Sequence, residues 1–211
     1  MTRKPVIVVA GPTAGGKSSI ALAAAEAFNG SIVNADSMQI YDGLRIVTAR
    51  PDKSDSARVP HELYGVFGKD RRCSAGEWRD LALKSIHRIH DLDRVPILVG
   101  GTGLYLRALT TGFHRMPAVP SEIRTALNER LNREGADVLH IELAFSDPVT
   151  ASRLHRRDGQ RIVRALEVFA ASGKPLSAWQ SGQTEAAPKN LRFLSVLNLP
   201  DREVLYERIN S

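Results

Sequence analysis

GPTAGGKS, at residues 11–18, lies between the apolar run VIVVA at residues 6–10 and an alanine-rich helical pattern. It matches G-x-x-x-x-G-K-[ST] at every specified position, in the strand-to-helix context that this motif requires. Its glycines let successive backbone N–H groups point inward as an anion-binding nest, and the start of the helix adds the positive end of its dipole. The predicted phosphate-binding residues are Gly11, Pro12, Thr13, Ala14, Gly15, Gly16, Lys17 and Ser18. The motif therefore predicts a loop that binds a di- or triphosphate, with Lys17 on the phosphates and the Ser18 hydroxyl on a Mg²⁺ ion.

The composition limits the class of protein. With 211 residues, 43% of them hydrophobic, the chain can form one sizeable globular domain, or a domain with a modest insertion. Its single cysteine, Cys73, excludes an internal disulfide and a cysteine-cluster metal site. No apolar window is long enough to span a bilayer, and the start Met-Thr-Arg-Lys-Pro does not resemble a secretory signal. We therefore expect a cytoplasmic protein with no membrane association, and the net charge of +6 favours an anionic partner.

The first half of the chain alternates strand and helix patterns, which predicts an α/β fold with a parallel sheet and crossover helices. The predicted strands are 6–10, 31–35 and 95–99, and the predicted helices are 17–28, 75–92 and a segment through Leu104, Leu106 and Leu109. Residues 42–72 carry scattered Gly, Pro, Asp and Lys and are predicted to be long loops.

The pattern changes after Gly112, where two prolines indicate a hinge or linker. Helices are predicted over 121–134 and 148–172, and a strand over 191–199 that returns to the sheet, with a helix beginning near Asp201. The predicted organisation is an α/β core of residues 1–113 and 190–211, interrupted by a helical insertion at 114–189. Because the chain stops inside the last helix, we expect the core to be incomplete at that end.

Polar groups follow two of the predicted strands at the edge where ligands bind in an open parallel sheet. Asp36 follows the second strand and could ligate Mg²⁺, accept a proton or cap a turn. The later strand ends in Gly100-Gly101-Thr102 and lacks the aspartate that commonly ends a Walker-B strand. Thr102 is predicted to cap the next helix and could contact a ligand as well.

Five arginines fall within twelve residues and are opposed only by Asp158; they are Arg153, Arg156, Arg157, Arg161 and Arg164. On the helix predicted there, Ile162, Leu166 and Phe169 form an apolar stripe, while Arg157, Arg161 and Arg164 share the other face. A solvated face would carry a more equal mix of charges. A face dominated by arginine favours contact with the phosphates of a nucleic acid.

Taken together, the motifs resemble those of the tRNA dimethylallyltransferase family. The resemblance covers nearly the whole chain in order: GPTAGGKS, NADSMQIYDGL from Asn34, TARP at 48–51, VPH at 59–61, ILVGGTGLYLRAL at 97–109, and DGQRIVRALEV from Asp158 followed by SGKPLS. The phosphate loop alone is generic, but DSMQIY, GGTGLY and QRIVRALEV in this order are specific to the family.

The resemblance implies a P-loop NTPase-like sheet flanked by helices, and transfer of a dimethylallyl group from dimethylallyl diphosphate to N6 of the adenosine adjacent to the anticodon. It implies Asp36 as the base, with Lys17, a Mg²⁺ held by Ser18, and Thr102 also at the catalytic site. The implied tRNA-contact residues are Asp36, Ser37, Met38, Gln39, Thr102, Arg124, Gln160, Arg161, Ile162, Val163 and Arg164. The insertion would grip the anticodon stem-loop of tRNA, and we expect a monomer.

Three other functions use the same features. A small-molecule kinase would use the phosphate loop to transfer a phosphoryl group, and an arginine-rich lid could imitate the insertion. A prenyltransferase could instead use free AMP, ADP or ATP as the acceptor, although QRIVR argues against this. A catalytically silent RNA-binding module is the third, against which the intact Lys17, Ser18, Asp36 and Thr102 argue.

Overall fold

The fold was analysed in a computed structural model that describes residues 3–43 and 45–210. The chain divides into two units, an α/β unit of Met1–Gly112 with Ala186–Ser211 and a helical unit of Phe113–Glu185. The strands are β1 (Lys4–Ala10), β2 (Gly30–Asn34), β3 (His61–Glu62), β4 (Val95–Gly100), β5 (Gly112–Phe113), β6 (Glu185–Ala186) and β7 (Leu191–Leu197). The helices are α1 (Lys17–Ala27), α2 (Lys53–Arg58), α3 (Ala75–Asp91), α4 (Gly103–Thr110), α5 (Ser121–Glu134), α6 (Ala136–Ser146), α7 (Pro148–Ala151), α8 (Gly159–Ser172), α9 (Leu176–Gln180) and α10 (Arg202–Asn210).

The α/β unit is built on a parallel sheet in the order β3-β2-β4-β1-β7, and β5 pairs separately with β6. β1 lies between β4 and β7, which explains its continuous apolar run, since both faces of a parallel sheet are covered by helices. Val6, Val8 and Val9 are accordingly buried. Because the strands are parallel, the phosphate loop after β1, Asp36 after β2 and Thr102 after β4 all lie at one edge of the sheet.

Two apolar clusters hold the helices against the sheet. On one face, Trp78 and Ile86 of α3 pack with Leu98 and with Leu109 of α4. On the other face, small side chains of α1 such as Ala21 and Ala25 pack against the strand residue Ile97. Alanines have short side chains, so α1 and the loop that precedes it lie close to the sheet.

Gly100, the last residue of β4, packs directly against the backbone that follows β2. A Cβ atom at this position would lie 2.2 Å from both the carbonyl carbon and the oxygen of Ala35. Ala35 N–H donates to the Val99 carbonyl oxygen over 2.8 Å, and the Ala35 oxygen accepts from Thr102 N–H over 3.3 Å. Glycine is therefore required here because another backbone occupies the space of a side chain.

The predicted strands and helices of the first half are confirmed to within two residues at either end, but the prediction of loops throughout 42–72 was wrong in part. α2 forms there because Asp52 and Asp55 make reciprocal capping hydrogen bonds at its start. β3 forms there because His61 and Glu62 pair with Ile32 and Val33 of β2.

The helical unit packs α5, α6 and α8 around buried side chains that include Leu139, Leu143, Ile162 and Leu166. The sequence analysis did not predict α6, and the continuous helix predicted over 148–172 was wrong because the chain is interrupted between α7 and α8. The side chain of Asp158 caps α8 by accepting from Arg161 N–H. Arg157 consequently precedes α8 and does not share a helix face with Arg161 and Arg164.

Asp147 joins three helices of this unit. Its carboxylate accepts hydrogen bonds from the N–H of Thr150 over 3.0 Å, the hydroxyl of Thr150 over 2.6 Å and the N–H of Ser177 over 2.9 Å. Burial alone would raise the pKa of Asp147, but the hydrogen bonds from Thr150 and Ser177 outweigh it and hold the pKa below its ordinary value. The ionised carboxylate therefore stabilises the folded unit.

Replacing Asp147 with alanine is expected to lower the free energy of unfolding by about 2 kcal/mol, because a helix cap is lost and the part-buried N–H of Ser177 loses its acceptor. Urea unfolding followed by circular dichroism measures this loss. The wild-type contribution is present above the unfolded-state pKa of aspartate and is lost as the pH falls through the lower folded-state pKa. Asp147→Asn should thus weaken the dependence of stability on pH in that acid range, and an unchanged dependence would contradict the assignment.

Candidate functional site

The loop after β1 forms a curled phosphate-binding nest. Ala14 and Gly16 have left-handed backbone conformations, with φ of 60° and 83°, and Gly16 is the N-cap of α1. Gly15 N–H donates to the Pro12 carbonyl oxygen over 3.2 Å, which closes the turn. The alternation of backbone conformations directs N–H groups toward one point, where an anion would also meet the positive end of the α1 dipole.

Lys17 lies folded against its own loop. Its Nζ donates to the Pro12 carbonyl oxygen over 2.7 Å. Burial lowers the pKa of Lys17 from its ordinary value, and the nearby negative charge of Asp36 opposes that lowering. A Cβ at Gly101 would lie 3.9 Å from Nζ, so the lack of a side chain there keeps space beside the ammonium group. The structure thus brings the lysine of the nest close to the carboxylate that follows β2.

Asn198, which the sequence analysis did not single out, supports the phosphate loop from the end of β7. Its N–H donates to the Ala10 carbonyl oxygen over 2.8 Å, and its side-chain Nδ2 donates to the Gly15 carbonyl oxygen. A Cβ at Gly11 would lie 2.2 Å from the carbonyl oxygen of Asn198, so these two backbones pack directly. No local motif marks Asn198, because its role depends on β7 pairing with β1.

A buried amide fixes the segment that carries Asp36. Asn34 Oδ1 accepts from Asp36 N–H over 2.8 Å, and Asn34 Nδ2 donates to the carbonyl oxygens of Asp36 and Leu63, both over 3.0 Å. The indole N–H of Trp78 donates to the Asn34 carbonyl oxygen over 2.9 Å. Sequence analysis missed both supporting residues, since an asparagine in a strand and a core tryptophan carry no functional signal on their own.

The Asp36 carboxylate is half-buried. Its Oδ1 accepts from Met38 N–H over 2.8 Å, while Oδ2 has no hydrogen bond within residues 3–43 and 45–210. The Met38 side chain that follows is 52% exposed. One carboxylate oxygen therefore fixes the turn, and the other is left to act on a ligand.

Thr102 occupies the N-cap position of α4, but its hydroxyl does not cap the helix as predicted. Instead it accepts from Ser37 N–H over 2.9 Å and donates to the Ser37 hydroxyl over 3.3 Å. Gln39 Nε2 donates to the Thr48 carbonyl oxygen over 2.7 Å. Thr102 therefore ties the segment after β2 to the segment after β4, beside Asp36.

The predicted contact residues of the helical unit differ in their surroundings. Gln160 and Arg161 are exposed in the first turn of α8, and Arg161 forms an ion pair with Asp158 at 2.7 Å. Ile162 and Val163, by contrast, are buried in the core of the unit, so their side chains do not reach the surface. This buried position argues against a side-chain role in binding for either residue.

Arg124 and Arg164 are both paired with one carboxylate, that of Glu167, at 3.3 Å and 3.1 Å. Their side chains remain 30% and 41% exposed. Arg124 belongs to α5 and Arg164 to α8, so two helices present a pair of guanidinium groups on this unit.

A metal ion at the phosphate loop would need ligands from outside the protein. Within the part of the chain that the structure describes, no cluster of three or more His, Cys, Asp or Glu side chains could hold one. The Ser18 side chain is exposed in the first turn of α1 and makes no hydrogen bond with the described residues. An exposed hydroxyl oxygen suits a Mg²⁺ ion whose other ligands are phosphate oxygens and water, rather than an all-protein cage.

None of the helices in the described part of the chain is both long enough and apolar enough to cross a membrane.

The sequence model of the IPP transferase family matches residues 39–211. The chain belongs to this family. The match covers most of the chain, and with it the segments that carry Gln39, Thr102 and the α8 residues.

Two curated relatives of this chain have named functions. The tRNA dimethylallyltransferase of Rhodospirillum centenum is 50% identical over 96% of this chain, and that of Allorhizobium ampelinum is 48% identical over 97%. The chain spans 65% and 67% of the lengths of these two proteins.

Solved structures agree with the fold of this chain, a P-loop NTPase-like parallel sheet flanked by helices. The crystal structure of a eukaryotic dimethylallyltransferase acting on tRNA has a TM-score of 0.76 at 28% identity, covering 98% of this chain and 51% of that one. The tRNA isopentenylpyrophosphate transferase of Bacillus halodurans has a TM-score of 0.57 at 32% identity, covering 99% of this chain and 64% of that one.

Proposed function

We propose that this IPP transferase moves a dimethylallyl group from dimethylallyl diphosphate to N6 of the adenosine adjacent to the anticodon of tRNA. The observation that carries the proposal is the convergence, at one edge of the sheet, of an anion nest with the Asp36 carboxylate and with Thr102. In the reaction the bond between the allylic carbon and the diphosphate oxygen breaks, a carbon–nitrogen bond forms, and N6 loses a proton. The products are prenylated tRNA and diphosphate. We place this activity in the cytoplasm and assign it to a monomer.

The phosphate loop binds the leaving group. Backbone N–H groups of residues 13–18 and the Lys17 ammonium stabilise the negative charge that develops on the diphosphate as the carbon–oxygen bond breaks. The hydrogen bond from Lys17 to the Pro12 carbonyl oxygen is exchanged for one to phosphate. Ser18 would hold a Mg²⁺ bound to the diphosphate, and this ion would neutralise part of the same charge.

Asp36 removes the proton from the acceptor. The lone pair of an adenine amino group is delocalised into the ring, so the amine is a poor nucleophile and benefits from a base. Oδ2 of Asp36 is suited to this step because Oδ1 is held by Met38 N–H. An adenosine stacked inside the anticodon loop must leave the stack to reach this carboxylate.

The helical unit supplies contacts to the tRNA. Arg161 and Arg164 carry planar guanidinium groups that can bind phosphates in a bidentate fashion, and Arg124 and Gln160 add further donors. Phosphate contacts give affinity that depends on salt, whereas contacts to the unpaired loop give specificity.

The direct test incubates the chain with dimethylallyl diphosphate, Mg²⁺ and unmodified tRNA, followed by mass spectrometry of the nucleosides. The expected product is an adenosine beside the anticodon in which a dimethylallyl group replaces one hydrogen. Parallel reactions replace tRNA with AMP or ADP, or replace the donor with phosphate-labelled ATP. Modified free nucleotide would favour the cytokinin-type acceptor, and transfer of labelled phosphate would favour a kinase.

Replacing Arg161 and Arg164 together with alanine is expected to weaken tRNA binding by at least about tenfold, because phosphate contacts are lost. For the same reason, the slope of the logarithm of the binding constant against the logarithm of the salt concentration should fall by about one to two. Binding titrations at several salt concentrations measure both quantities. The matched control, Arg58→Ala with Arg88→Ala, removes two ion-paired surface arginines from the α/β unit. If the two double variants weakened tRNA binding equally, the affinity would depend on net charge alone and not on a contact surface around Arg161 and Arg164.

A further inference from the structure

Glu167 is a buried carboxylate that serves two arginines. Its side chain is 6% exposed, and each of its oxygens has a different partner. Oε1 accepts from Arg124 Nε over 3.3 Å, and Oε2 accepts from Arg164 Nη1 over 3.1 Å. A carboxylate this buried is stable as an ion only because both oxygens are hydrogen-bonded to opposite charges.

The arrangement leaves both arginines with unused donors and an excess of positive charge. Arg124 uses only Nε in this pairing, and neither of its terminal nitrogens has a hydrogen bond with the described residues. Both side chains remain partly exposed, while one nitrogen of each, Nε of Arg124 and Nη1 of Arg164, is held by the buried carboxylate. Two guanidinium groups share one carboxylate, so the cluster has a net charge of about +1 at neutral pH.

This geometry restricts the motion of the two side chains. A free arginine on a helix surface loses rotamer entropy when it is fixed on a ligand. Arg124 and Arg164 have lost much of their rotamer freedom before any ligand arrives, because each is hydrogen-bonded to the buried carboxylate of Glu167. Pre-organised donors of this kind bind an anion more tightly than mobile ones of equal charge.

We propose that Glu167 is a positioning residue that holds Arg124 and Arg164 as one fixed pair for a phosphate of the RNA backbone. This inference rests on the proposed function, since it assigns the way in which the helical unit binds tRNA. An alternative role, in which Glu167 only fastens α5 to α8, makes different predictions for binding.

Glu167→Gln separates the two roles because it keeps the size of the side chain and changes its charge. The amide offers one acceptor and one donor, so one of the two arginines loses its partner. Simple electrostatics predicts tighter tRNA binding, because a negative charge is removed from a basic surface. Positioning predicts the opposite, a loss of affinity of about tenfold, as for one charged hydrogen bond. The matched control is Glu142→Gln, which removes a carboxylate from the more exposed ion pair with Arg130 and should not weaken binding.

A variant cycle completes the test, with tRNA affinity measured at a temperature where circular dichroism shows each variant folded. Glu167→Gln should have no further effect in the Arg124→Ala Arg164→Ala background if it acts through these arginines. An additive loss, or binding by Glu167→Gln as tight as wild type, would overturn the inference. If Glu167→Gln does not fold, the double variant Arg124→Lys Arg164→Lys is used instead. It keeps both positive charges and removes the two planar guanidinium groups. An unchanged tRNA affinity of this double variant would equally overturn the inference. Failure of the wild-type chain to bind tRNA would instead count against the proposed function itself.

Discussion

Asp36→Ala is expected to reduce prenyl transfer by about two to four orders of magnitude, the usual contribution of a general base, while tRNA binding is retained. The loss follows because Asp36 follows β2 and is the carboxylate whose negative charge acts on Lys17 of the phosphate loop. Single-turnover assays with bound tRNA measure the chemical step, and filter binding measures the affinity separately.

Asp36→Asn separates the role of Asp36 as a base from its role in the turn after β2. The asparagine side chain keeps an oxygen that can accept from Met38 N–H, so the turn after β2 survives while the basic oxygen is lost. Both variants should therefore be inactive, and Asp36→Asn should match the wild-type thermal stability more closely than Asp36→Ala. Asp70→Asn removes an exposed carboxylate of the same unit and is the control, with wild-type turnover expected. Wild-type turnover in Asp36→Asn would exclude Asp36 as the base.

Gly100→Ala is expected to destabilise the α/β unit by about 3 kcal/mol or more, at the upper end of the range for overpacked sites. The added Cβ would meet the Ala35 carbonyl group at 2.2 Å and the Asp36 backbone nitrogen at 2.7 Å. These are backbone atoms of the segment directly after β2, and they cannot move aside without breaking the hydrogen bonds of Ala35 with Val99 and Thr102. Urea unfolding measures the loss of stability, and the displaced Asp36 should abolish prenyl transfer as well.

Gly103→Ala is the matched control, three residues further along the chain. A Cβ there meets nothing within 4 Å, and the residue begins α4. Alanine favours a helix over glycine by up to about 1 kcal/mol, so this variant should be neutral or slightly stabilised. Equal destabilisation by the two substitutions would mean that the close approach at Gly100 does not limit the fold.

The α/β framework could be predicted from the sequence because its signals are local. The buried run before the phosphate loop, the helical spacing from Trp78 to Ile89 and the buried strand before Gly100 each specify an element without reference to the rest of the chain. The interruption between α7 and α8 was harder to predict. Asp158 has to be recognised as a cap, and helical periodicity on both sides concealed it.

The site was only partly predictable, because some of its residues follow local sequence patterns and others depend on contacts between distant parts of the chain. Lys17, Asp36 and Thr102 follow strands, and the parallel sheet brings strand ends together. Their supports are long-range: Asn34 contacts Leu63, and Asn198 contacts Gly15, through pairings that no sequence window contains. The burial of Val163 likewise depends on how α8 packs, whereas helical spacing already placed Ile162 in the apolar stripe.

The contact between Asn198 and Gly15 has a consequence for the order in which the molecule is made. The two residues are 183 positions apart, and the whole helical unit is encoded between them. A ribosome therefore releases the glycine-rich turn long before it releases the residue that braces it. The nascent chain must carry that turn unbraced until β7 emerges and pairs with β1. The phosphate loop should accordingly reach its braced conformation late in translation, after the helical unit has already been synthesised.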